Sequence, residues 1–167
     1  LVNAFNSLIH IFYFKRIGNE RIIVKKAFNF IFRCNIPYLG IISDTHSYWD
    51  DRYLKYFEPC DEIWHCGDIC STVLAERLAE FRPLRAVCGN CDGGDLRLMY
   101  PEVLRFKCEE VEVLMKHIGG YPGKYDPSIR RQIMERPPQL FISGHSHILK
   151  IKNDPLLGLL HINPGAA

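Results

Sequence analysis

At 167 residues, with 47% hydrophobic and 24% charged residues, the chain has material for one domain with a substantial core and too little for two. Its net charge of +2 is uneven: residues 1–36 hold Lys15, Arg16, Arg21, Lys25, Lys26 and Arg33 against Glu20 alone, which leaves the rest mildly acidic. That sign excludes the basic stripe of a sequence-independent nucleic-acid binder, so no stable nucleic-acid binding is expected.

The chain opens on an apolar and aromatic stretch, Leu1 to Phe14, interrupted by Asn3, Asn6, Ser7 and His10. It is too short to span a bilayer, and its charge follows the apolar run, whereas a secretory signal carries charge ahead of it. An amphipathic membrane-surface segment fits the residue types. The plainer reading, adopted here, makes residues 1–36 an N-terminal extension and residues 37–167 the domain.

From Pro37 onward, apolar β-branched runs (Leu39–Ser43, Glu62–Cys66, Leu84–Cys88, Val111–Met115, Leu140–Ser143) alternate with helix-like stretches at Asp50–Phe57, Thr72–Phe81 and Pro127–Glu135. In the second stretch Val73, Leu74, Leu78 and Phe81 make a stripe at helical spacing, Ser71 is placed to cap it and Pro83 closes it. Leu149–Lys152 and Leu159–Ile162 around Asp154-Pro155 predict a β-hairpin. Alternation of this kind predicts an α/β fold with parallel neighbours, whose reactive loops lie beyond the carboxyl ends of the strands.

Those strand ends are where the chemistry falls. Asp44-Thr45-His46, Gly67-Asp68, Gly89-Asn90-Cys91-Asp92, His117-Ile118-Gly119-Gly120 and Gly144-His145-Ser146-His147 follow the runs in order. Asp44 and His46 alternate across a strand end, so both can turn to one ion. Asp68 has two carboxylate oxygens and can bridge two cations ~3.5–4 Å apart. Asn90 offers a neutral amide oxygen, and His117, His145 and His147 offer imidazoles. Taken singly, each motif reads as ordinary capping or turn chemistry; together, in order, at strand ends, they predict a two-metal hydrolytic site. His10, His65 and His161 lie outside these motifs and read as packing or surface residues. Asp92 is placed to orient the Cys91 loop. Gly119 and Lys124, in the glycine-rich run that follows His117, are candidate substrate-phosphate contacts. Tyr48 and Trp49 are candidates for stacking on a nucleobase, although core packing is the safer assumption.

Of the seven cysteines (Cys34, Cys60, Cys66, Cys70, Cys88, Cys91 and Cys108), Cys66 and Cys88 end apolar runs as small hydrophobes. Reduced thiols and a cytoplasmic location are expected. Cys88-x-x-Cys91 also admits a redox reading, but Gly89-Asn90 lies between the two and no helix pattern directly follows.

The motifs, with Asn163-Pro164-Gly165, resemble those of the calcineurin-like metallophosphoesterases, and more closely the YfcE-like bacterial and archaeal phosphodiesterase branch, from Pro37 to the C-terminus. The resemblance implies a two-sheet α/β sandwich flanked by helices. It also implies a dinuclear centre: Asp44, His46, Asp68 and His147 on one ion, and Asp68, Asn90, His117 and His145 on the other, with Asp68 bridging. The implied reaction is hydrolysis of a phosphodiester, small or nucleotide-like, by a metal-bridging hydroxide, with Asp68, Asn90, Cys91 and Asp92 serving catalysis. Mn is the expected metal, with Fe, Zn, Co and Ni also suited to this donor set. Cys91 stands where many relatives carry a histidine that protonates the leaving alkoxide. Relatives also continue into closing strands where this chain reaches Ala166-Ala167, so the domain is expected to lack its last strands. A homo-oligomer is expected from the resemblance alone. The alternative is a protein-interaction scaffold of the same fold, as in a eukaryotic retromer subunit; the filled ligand set favours the enzyme.

Overall fold

The structure, a computed structural model, describes the backbone of residues 12–17 and 20–25 and the whole of residues 38–167. Most of the N-terminal extension, with His10 and Cys34, lies outside the described residues. Within it, β1 (Phe12–Ile17) and β2 (Glu20–Lys25) pair as an antiparallel hairpin.

The domain is two sheets face to face. β3 (Leu39–Ile42), β4 (Glu62–His65) and β5 (Leu84–Ala86) form a parallel sheet in that order. The second sheet runs β11 (Lys150–Asp154), β12 (Leu159–Asn163), β10 (Leu140–Ile142), β7 (Val111–Lys116), β6 (Val103–Cys108). Its centre is parallel, with β10 between β7 and β12, and each edge strand is antiparallel to its neighbour.

The two-residue period of a strand explains why these runs are apolar throughout. Ile41, Trp64, Val113, Met115, Leu140, Ile142 and Ile162 point inward and make one cluster between the sheets. Their sequence neighbours point outward and are covered too. Ile42 and Ile63 pack under α1 (Arg52–Phe57), α2 (Thr72–Phe81) and α3 (Gly94–Met99), through Phe57, Leu74, Leu78 and Leu96. Leu114, Phe141 and Leu159 pack under Ile129 and Ile133 of α4 (Pro127–Glu135). The result is a helix–sheet–sheet–helix sandwich, the fold class expected. A strand with both faces buried has no polar alternation to display.

Local signals act as expected at α2, where Ser71 accepts the Leu74 N–H at 3.3 Å and Pro83 lies just beyond the last turn. α4 starts on Asp126, which accepts the Ser128 N–H at 2.9 Å, with Pro127 in its first turn. Three elements differ from the sequence reading. α3 begins soon after Cys91, where no helix was expected. β6 was not anticipated. The glycine-rich run after His117 is a small hairpin, β8 (Gly120–Tyr121) with β9 (Lys124–Tyr125), turning at Pro122-Gly123. No helix among the described residues is long and apolar enough to cross a membrane.

Candidate metal centre

Four strands end at one rim, and the backbone is laced together there. Asp44 N–H donates to the Gly67 carbonyl and His46 N–H to the Asp68 carbonyl, each at 3.0 Å, joining the loops after β3 and β4. Gly144 N–H donates to the His117 carbonyl at 2.9 Å, joining those after β10 and β7. The two sheets meet where the Cys66 carbonyl accepts from His117 Nδ1 at 2.7 Å and from Ser43 Oγ at 3.1 Å.

The backbone itself marks the site. Asp44, His46, Ser47, Asp68, Cys70, His145 and His147 all adopt positive φ, between 45° and 66°, and outside this rim only Glu109 does so among the described non-glycine residues. Left-handed backbone at a residue with a Cβ costs on the order of 1 kcal/mol or more, and it persists where tertiary structure imposes it, typically at functional sites.

The side chains form two compact groups. Asp44, His46 and His147 bring their ligand atoms within 4.8 Å of one another, and so do Asp68, His117 and His145. The groups adjoin: His117 Nε2 lies 3.2 Å from Asp68 Oδ2 and 3.8 Å from Asp44 Oδ1, and His147 Nε2 lies 3.3 Å from Asp44 Oδ1. Asn90 lines the cavity beside His117. Glycine is required where the loops touch. A Cβ on Gly89 would land on Asp68 Oδ1 and the Asp68 nitrogen, and one on Gly144 would land on Ser43 Oγ.

This donor set fits divalent cations on its own terms. His117 Nδ1 faces a carbonyl, which can only accept, so Nδ1 carries a proton, and whenever the ring is neutral Nε2 presents its lone pair toward two carboxylates. That Nε2 and Asp44 Oδ1 are both buried without a hydrogen-bond partner. Buried acceptors converging on one point are costly unless a positive charge sits between them. Burial opposes ionisation of Asp68, yet the Cys91 N–H donated to Oδ1 at 2.8 Å and the nearby His117 and His46 outweigh it and hold its pKa below the ordinary carboxylate value.

Asp92 is the organising group of the loops. Its buried carboxylate accepts N–H bonds from Asp68 at 3.0 Å, Gly89 at 2.7 Å and Cys70 at 2.7 Å. Its role is to hold backbone in place; it makes none of the ligand contacts. Cys91 is exposed, and its thiol is raised above the usual value, chiefly by its hydrogen bond to the Asp68 carboxylate.

Two substrate candidates are not brought to the cavity. Lys124 is exposed on β9, and Gly119 is buried against Phe141 and Ser143. The cavity beside the centre, about 330 Å³, is lined instead by Lys116, Arg97, Glu102, Asp126 and Ser128. Trp49 packs under the Arg77 guanidinium at 3.8 Å and edge-on to Tyr53, while Tyr48 is exposed.

The sequence places His65 only among packing or surface residues. It is fully buried, accepting from Gly67 N–H at 3.2 Å through Nδ1 and donating from Nε2 to Thr45 Oγ1 at 2.9 Å. Burial pushes its pKa down to about 3, so it is a neutral strut between the first two motifs. An apolar run containing one histidine carries no signal for that role. His161 is likewise buried, and neither histidine joins a ligand group.

Comparison with known proteins agrees with this geometry. The profile of the calcineurin-like phosphoesterase superfamily domain matches residues 38–167. A probable metallophosphoesterase of Methanocaldococcus jannaschii is 31% identical over 135 residues, covering 77% of this chain and 67% of that protein. Among solved structures, Vacuolar Protein Sorting 29 of Cryptosporidium parvum superposes with a TM-score of 0.65 at 19% identity, over 80% of this chain and 76% of that one. A structure described as a novel archaeal phosphodiesterase does so with a TM-score of 0.59 at 22% identity, over 77% and 83%. At these identities the superpositions establish the fold.

Proposed function

The chain belongs to the calcineurin-like phosphoesterase superfamily, and from that premise we propose that it is a metal-dependent phosphodiesterase, using water to cleave a phosphate diester into a monoester and an alcohol. The observation that carries the reading is the meeting of the two ligand groups over the buried, unpartnered Asp44 Oδ1 and His117 Nε2. Membership in the superfamily implies divalent cations. Asp44, His46 and His147 would hold one, and His117, His145 and Asn90 another, with Asp68 shared between them. Imidazole, carboxylate and amide donors suit Mn best by availability, with Fe, Zn, Co and Ni as alternatives. When bound, such cations bring the pKa of water toward neutrality and offset the charge that gathers on phosphoryl oxygens.

The chain's own groups do the rest. Asp68 is kept ionised by the Cys91 N–H and its histidine neighbours. The Cys91 thiol, held protonated, is the donor available to a departing alkoxide, and a thiol does this less well than imidazole. Activated esters, whose leaving group needs little protonation, are therefore the better substrates. The cavity next to Asn90 and His117 has the size and polarity for a small or nucleotide-like ester group, with the Lys116 ammonium and the Asp126 carboxylate on its wall. The phosphodiesterase described for the archaeal structural neighbour supports diester preference.

A scaffold role is the second reading, favoured by Ile148, Ile151 and Leu156, which stand exposed on and beside the β11–β12 hairpin. One assay separates them: hydrolysis of a p-nitrophenyl phosphodiester and the matching monoester, with and without Mn, by the full chain and by Asp68→Ala. Mn-dependent diester cleavage lost in Asp68→Ala supports the enzyme. A folded, Mn-loaded chain inert on both esters supports the scaffold.

A further inference from the structure

A third group of donors stands beside the first two and shares His46 with one of them. Ligand atoms of His46, Cys70 and Cys91 lie within 4.8 Å of one another, with Cys70 Sγ 3.6 Å from His46 Nδ1. His46 has two faces: Nε2 is 3.4 Å from His147 Nε2 on the carboxylate side, and Nδ1 is turned to the thiols. We infer that His46, Cys70 and Cys91 form a further binding site for a thiophilic cation such as Zn2+ or Cd2+, reached through His46 Nδ1. This site goes beyond the proposed phosphodiesterase activity and does not depend on it.

The three residues come from three different loops, those after β3, β4 and β5, and each is fixed by its backbone. His46 N–H donates to the Asp68 carbonyl at 3.0 Å, Cys70 N–H to Asp92 Oδ1 at 2.7 Å and Cys91 N–H to Asp68 Oδ1 at 2.8 Å. Ser47 Oγ donates to the Cys70 carbonyl at 2.9 Å, binding the first loop to the second. His46 and Cys70 both hold left-handed φ, at 45° and 62°, so the cluster is imposed by the fold and is no accident of loose surface loops. His46 and Cys91 are exposed and Cys70 is half-buried, so an ion reaches the site from solvent.

Two sulfurs and one imidazole select differently from the neighbouring groups. Carboxylate-bearing groups accept Mn2+, whereas Cys2His with a fourth position open to solvent is a zinc-type set. Binding a divalent cation displaces both thiol protons to solvent. A neutral imidazole has one lone pair, so His46 serves only one side at a time. A cation held by Cys70 and Cys91 therefore competes for His46 with a cation held by Asp44 and His147, and the two occupancies oppose each other.

The test is Cd2+ titration of the full chain, followed by the ultraviolet absorption of cadmium bound to thiolate. One equivalent should develop the band, and Mn2+ should raise the Cd2+ concentration needed for half of it. Cys70→Ser and Cys91→Ser should each weaken that equivalent by at least about 10–100-fold, since even outer-shell changes at metal sites cost that much. Cys108→Ser, remote from the cluster, should leave the band intact. Circular dichroism checks that each variant folds, and Cys91→Ser, at an exposed thiol, decides the matter if Cys70→Ser does not fold. A band that survives Cys91→Ser, or no band in the native chain, overturns the site.

Discussion

His117 donates from Nδ1 to the Cys66 carbonyl at 2.7 Å, and this bond presents Nε2, 3.2 Å away, to Asp68 Oδ2. Two acceptors at that distance inside the protein repel each other unless a cation lies between them. His117→Ala removes one donor and leaves the other uncompensated. We expect Mn2+ affinity by calorimetry to fall by more than about 100-fold, above the range seen for outer-shell changes. Unchanged affinity would remove His117 from the ligand set.

Gly89→Ala places a methyl on Asp68 Oδ1 and the Asp68 nitrogen. Neither can retreat without breaking the Cys91 N–H bond or the Asp92 bond that holds them. A displacement near 1 Å at a catalytic group costs about 100-fold in rate. For the proposed diesterase reaction, kcat/KM should fall by about that factor while circular dichroism stays native.

Asp92→Ala strips one acceptor from three N–H groups, those of Asp68, Cys70 and Gly89. At roughly 1–3 kcal/mol for each donor left unpaired in the interior, urea unfolding should show a loss of at least about 3 kcal/mol. Asp92→Asn keeps one accepting oxygen and should recover part of it.

In the proposed reaction Cys91→His would put an imidazole where the leaving alkoxide needs a proton. General acid catalysis is worth about 100-fold or more, so an alkyl phosphodiester should gain at least ~10-fold in kcat while the p-nitrophenyl ester gains less. Equal gains on both substrates would show that the position does not protonate the leaving group.

His161 gives the fold a sensitivity to acid. Its Nε2 donates to Ser143 Oγ at 2.9 Å and its Nδ1 is buried without a partner. Burial first, then Lys150 and Lys152, lower its pKa to about 4. An unfolded histidine titrates near 6.5, so the unfolded chain takes up a proton that the folded chain refuses. This contribution is complete above about pH 6.5 and is lost as pH falls toward 4, on the order of 3 kcal/mol across that window. Unfolding midpoints measured from pH 7 to 4.5 should fall less steeply in His161→Gln than in the native chain.

The sequence by itself determined most strands and helices from Leu39 onward, though not α3, β6 or the β8–β9 hairpin, because burial on both faces writes continuous apolar runs such as Leu140-Phe141-Ile142, and capping residues such as Ser71 and Pro127 mark where helices begin. It also determined which residue types could meet a metal, because Asp44, His46, Asp68, His117, His145 and His147 recur at strand ends, where backbone leaves the sheet. Tertiary structure alone decided the rest. Asp92 pins the loop after β4 to its own loop after β5, and His65 joins Thr45 to the Gly67 turn, through bonds between residues some twenty apart in the chain that no local period records. Lys116 and Asp126 reach the cavity while Lys124 does not, since the β8–β9 hairpin turns Lys124 to the surface. Cys70 reads as an unremarkable thiol and Cys91 only as a group serving catalysis until the loops after β4 and β5 bring both to His46, because proximity between segments is set by how the sheets stack and is carried by no single segment.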